Sequence, residues 1–77
     1  MVSEKLTSLM DEFISICKER GFHKETASAL GIIAGSKNAK EVFGDTTKSF
    51  EALVELAKTC KDEQELTNTF CKMAISN

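Results

Sequence analysis

The chain has 77 residues, 42 % of them apolar and 29 % charged, with 10 Lys and Arg against 12 Asp and Glu and neither proline nor tryptophan. That length allows one domain and excludes two, and the composition is far from that of a disordered chain. A net charge of −2 supplies no basic field to draw the protein onto nucleic acid or an anionic membrane, so both are disfavoured as partners.

The first element is the clearest. Leu6, Leu9, Met10, Phe13, Ile14 and Cys17 recur at the i, i+3, i+4, i+7 spacing of one helical stripe. Ser3 is a suitable N-cap and Gly21 a suitable C′ residue, so the spacing predicts a helix over residues 4–20. Phe22 and His23 make a short connection. A second, shorter helix over 24–34 then carries Ala27, Leu30, Ile33 and Ala34 on one face, with Ile32 beside it.

Gly35 and Ser36 read as a stop and a start: glycine to take a left-handed conformation, serine to cap the amides that follow. A short helix over 38–43 has Ala39, Val42 and Phe43 inward, and Gly44 and Asp45 close it. Thr46 or Thr47 caps the next helix, which reaches about residue 61 with Phe50, Leu53, Val54, Ala57 and Cys60 on its stripe and Leu56 at the flank. Asp62 with Glu65 three residues on is an acidic variant of the capping box. It opens a last helix whose apolar face is Leu66, Phe70, Met73 and Ala74. Nowhere does the chain alternate as a strand would. The expected fold is all-α, a small bundle of four main helices plus one short helix in a single domain over 1–77.

Four features invite a chemical reading. Residues 31–37, GIIAGSK, look like a phosphate loop, but GxxxxGK[ST] requires one more residue between the glycines and a hydroxyl after the lysine. What is left is a helix start where Ser36, Lys37, Asn38 and Lys40 could meet an anion, or nucleic acid in an alternative helix-turn-helix reading. Ala27, Gly31 and Ile32 fit the opening of that motif, whereas Lys37 stands where an apolar residue is needed to dock the recognition helix. His23 is the only histidine, in an exposed connection with no catalytic grouping around it, and an enzymatic role is not expected. Cys17, Cys60 and Cys71 form no CxxC or CxxH pair, so they read as packing residues, with no metal and no cofactor implied.

In size and acidity the chain is similar to acyl carrier proteins. That family carries its phosphopantetheine on an Asp-Ser-Leu motif at the start of its second helix, where this chain reads GFHKETAS. No functional residue transfers.

The remaining signal is excess apolar flank. Ile16, Ile32, Leu56, Cys71 and Ile75 lie at the edges of helical faces, more than a small monomeric bundle needs to cover. They point to another protein as partner, a second copy of the chain included, with no small-molecule substrate. No apolar run approaches the roughly 18 residues of a membrane span. The N-terminal MVSEKLTSLMDEF is charged too early for a signal peptide, and the expected compartment is the cytoplasm.

Overall fold

The computed structural model describes residues 3–75, which form five α-helices and, among the described residues, no strand. In chain order these are α1 (Glu4–Glu19), α2 (Lys24–Ala34), α3 (Lys37–Phe43), α4 (Thr46–Thr59) and α5 (Glu63–Ile75). The all-α architecture and the count of four main helices and one short one follow the apolar periodicity.

α4 is the organising helix and packs against all four others. Its Phe50, Leu53, Val54 and Ala57 meet Phe13 and Cys17 of α1, Leu30 and Ala34 of α2, Ala39 of α3, and Leu66, Phe70 and Ala74 of α5 in one buried core. Phe43 stacks on Phe70 with ring centroids 5.8 Å apart, tying α3 to α5. No Cα of α1 comes within 8 Å of one of α5. Extents of 29 × 29 × 19 Å make the short axis about two helix diameters deep, so the helices form two layers. α1 and α4 run parallel, pinned at their exposed edge by Lys5–Glu51 and Glu12–Lys58, each at 3.0 Å. Such exposed pairs set register more than they stabilise, because water screens them.

The caps follow their expected chemistry in most places. Ser3 accepts from the Leu6 amide at 3.1 Å. Gly21, at φ 72°, closes α1 with Phe22 N–H donating to Cys17 O and Gly21 N–H to Lys18 O, the paired bonds of a Schellman motif. Asp62 accepts from the Glu65 amide while Glu65 accepts from the Lys61 amide, both at 2.8 Å.

Several expectations are corrected. Gly35 is not left-handed: its φ is −88°, and the turn into α3 is made instead by extended Ser36, whose hydroxyl donates to Ile33 O at 2.7 Å and accepts from the Ala39 amide. The α4 cap is Asp45, which accepts from the Lys48 amide at 2.8 Å; Thr46 and Thr47 already lie inside the helix. α4 ends at Thr59, two residues short of the expected bound, because Cys60 turns extended and buries its thiol as the C-cap. α3 begins one residue early, at Lys37, and α1 ends one residue early, with Arg20 as its C-cap. Val42 and Met73, expected inward, are each 37 % exposed, because each lies at the edge of a stripe whose centre is taken by Ala39 or Phe70.

Candidate partner-binding groove

α1 and α2 form an antiparallel hairpin whose helices do not close on each other. Two adjoining cavities of about 350 and 280 Å³ lie between them, sharing Ile14, Ala27 and Ser28. One ends at Phe22, Lys18 and Lys24; the other ends at Met10, Gly31 and Ile32. Together they make one groove.

Its shape follows from the residue sizes. On the α2 side Ala27, Ser28 and Gly31 carry little or no side chain, so nothing fills the space facing Met10 and Ile14 of α1. A Cβ built on Gly31 would meet nothing within 4 Å. The floor is the core itself: buried Phe13, Cys17 and Phe50 line it from below. The rim is apolar and open, with Met10 40 %, Ile14 48 % and Ile32 75 % exposed. Met10 and Ile14 belong to the predicted α1 stripe, yet only its other members are covered: Phe13 and Cys17 are buried and Leu6 and Leu9 are half-buried against the core.

The five flank residues do not converge on this groove. Ile32 stands on its rim. Cys71 and the exposed Ile75 line a separate shallow depression on α5, with Asn68 and Lys72. Ile16 and Leu56 are half-buried, packed against the core. Met10 and Ile14 were legible as apolar helix residues, but no spacing rule says which part of a wide stripe its neighbours will cover.

The candidate anion residues are placed as follows. Ser36 is half-buried and its hydroxyl is engaged in the two bonds already given. Lys37, Asn38 and Lys40 are exposed on α3, and the two lysines share a shallow depression with Glu41. Among the described residues no group of three His, Cys, Asp or Glu side chains is placed to hold a metal.

At the corner below the groove, two helix connections interlock. Arg20 Nη1 donates to Ala57 O at 2.9 Å and to Cys60 Sγ at 3.0 Å, and Nη2 donates to Lys61 O at 3.3 Å. The guanidinium thus satisfies a carbonyl in the last turn of α4 and places a cation at the negative end of its dipole, while lying 5.0 Å from the Phe22 ring centroid. Glu63 does the converse at the start of α2. His23 is the N-cap of that helix, but its side chain bonds none of the helix amides. Glu63 accepts from the His23 amide at 3.0 Å and from the Thr26 hydroxyl, and sits 3.1 Å from His23 Nδ1. The Thr26 and His23 bonds hold its carboxyl below the usual glutamate range. Burial, with Cys60 and Glu63 nearby, pushes the Cys17 thiol up, in keeping with its place in the packed core. Both clasps escape sequence reading because their partners lie about 40 residues away.

Compared with family models, with curated proteins and with solved structures, the chain matches none. Among the described residues no helix is long and apolar enough to cross a membrane.

Proposed function

We propose that the protein is a small cytoplasmic interaction module that binds another protein through the groove between α1 and α2, in a binding rather than a catalytic role. The observation that carries this reading is the open apolar rim of Met10, Ile14 and Ile32 above a floor continuous with the core. Grooves of this form take the apolar face of a partner helix. Three free thiols, Cys17, Cys60 and Cys71, suit a reducing compartment. A second copy of the chain is one candidate for the partner.

The helix-turn-helix alternative through Ser36, Lys37, Asn38 and Lys40 is weaker. α3 has only seven residues, and Glu41 offsets part of the lysine charge. Salt-dependent retention on duplex DNA would favour it.

Ile32→Glu tests the leading reading. Ile32 is so exposed that the change should leave stability within about 0.5 kcal/mol of wild type, while charging the rim. Wild-type and Ile32→Glu baits of matched melting temperature are used for capture from a lysate of the native host, alongside light scattering at high protein concentration. The expected result is a partner, or self-association, lost in the variant. A strict monomer that captures nothing, or one set of proteins held equally by both baits, would overturn the reading.

A further inference from the structure

The two ends of the groove differ. The Met10 and Ile32 end is lined by apolar and small residues alone, whereas Lys18, in the last turn of α1, and Lys24, the first residue of α2, line the Phe22 end. No carboxylate lines either cavity. The ion pairs among the described residues join Lys5 to Glu51, Lys58 to Glu12 and His23 to Glu63, so neither Lys18 nor Lys24 takes part in one. Their chain neighbours Glu19 and Glu25 are turned about 100° round their helices and do not line the groove.

The length of the groove is also informative. From Met10 to Lys18 α1 rises about 12 Å, and from Lys24 to Ile32 α2 returns the same distance. That span seats two turns of a helix, enough for apolar anchors at i, i+3 or i+4, and i+7.

We infer that the occupant is an amphipathic helical segment of another protein, bearing carboxylate side chains at the end that lies against Phe22, where Lys18 and Lys24 receive them. This inference rests on the groove being the binding surface. The apolar rim supplies affinity, and the lysine pair fixes which way round the segment lies and speeds its approach.

The test uses fluorescein-labelled helical peptides with leucines at i, i+4 and i+7. Each carries Glu-Glu, Gln-Gln or Lys-Lys one turn beyond one end of the leucine row, and is titrated by anisotropy at low and high salt. Laurate below its micelle concentration serves as a non-protein control. The expected result is a Glu-ended peptide that binds about 3- to 10-fold tighter than its Gln-ended twin at low salt, with the Lys-ended one weakest. In a Lys18→Gln, Lys24→Gln variant of unchanged melting temperature the Glu advantage disappears and the Gln-ended peptide binds as before. Equal binding of Glu- and Gln-ended peptides would overturn the charge inference and leave the groove reading standing. Binding of laurate with no peptide bound would overturn the inference in favour of a fatty-acid-like amphiphile. No binding of any probe, together with no effect of Ile32→Glu on capture or self-association, would remove both.

Discussion

At the corner where α1 turns into α2, Arg20 and Glu63 are each bonded to groups from a distant part of the chain. Along the groove between the same two helices, Met10, Ile14 and Ile32 stay exposed and Lys18 and Lys24 have no ion-pair partner among the described residues. The corner spends its polar groups on holding the hairpin to α4 and α5. The groove leaves its apolar and cationic groups for something else. A fold of this size has little stability to spare, so a hairpin fastened at one end by hydrogen bonds can leave its face open without loosening. On that division, changes at the corner alter stability and leave binding alone, and changes in the groove alter binding.

Arg20→Met should break the comparison most visibly. It keeps an unbranched side chain but removes the guanidinium over the Phe22 ring and its donors to Ala57 O, Lys61 O and Cys60 Sγ. Hydrogen bonds from a charged group contribute about 1.5–3 kcal/mol when buried; the Arg20 side chain is partly in water, so a loss near the bottom of that range, about 1.5 kcal/mol, is expected. For a domain this small that lowers the melting temperature by about 6–12 °C. Calorimetry checks it, and a melting temperature within a degree of wild type would mean that the guanidinium bonds are replaced by water at no cost.

Glu63→Gln comes next, and its signature lies in the pH dependence. The folded carboxyl titrates below the ordinary glutamate value of 4.5, so its charged form stabilises the fold. That contribution is complete well above pH 4.5 and is lost as pH falls through the lowered folded value. The variant should therefore melt below wild type at pH 7, with the gap closing toward pH 3. A gap that stays constant with pH would show that the Thr26 and His23 bonds do not depend on the charge.

How much of this was legible beforehand divides along the same line. Helix starts and stops were readable at Ser3, Gly21, Ser36, Gly44 and Asp62, because capping is decided by residues a few positions apart. The core was readable where a stripe is covered, as at Leu53, Ala57, Leu66 and Phe70. Met10 and Ile14 misled because they sit on a stripe broader than its cover, and a period reports direction without reporting what lies there. The groove exists through small residues on a different helix, Ala27, Ser28 and Gly31, whose absence of bulk carries no signal until the two helices are set side by side. Nothing in the local pattern marks Arg20 or Glu63, because the groups they bond lie about 40 residues away.

Gly31→Ala sharpens the comparison from the groove side. The position is helical and a Cβ there has free space, so alanine should stabilise α2 by up to about 1 kcal/mol. The same methyl intrudes on the groove, so binding of a helical partner should weaken as stability rises. A stabilised variant with unchanged affinity would show that the partner does not approach α2 at this point.

Gly35→Ala is the smallest effect and the control. A left-handed Gly35 would make this change destabilising, but φ is −88°, and a Cβ would lie 3.6 Å from Gly31 O and 3.8 Å from Ile32 O, ordinary contact distances. With no strain to oppose it, the loss of freedom in the unfolded chain should win, stabilising the protein by about 0.5 kcal/mol. Unlike Gly31, Gly35 lines neither cavity, so affinity should not move. Two glycine-to-alanine changes four residues apart, one within α2 and one at its C-cap, both stabilising and only one costing affinity, would separate the groove from the helix that carries it. A destabilised Gly35→Ala would mean instead that the turn into α3 adopts the left-handed form in solution, with Ser36 no longer bonded to Ile33 O.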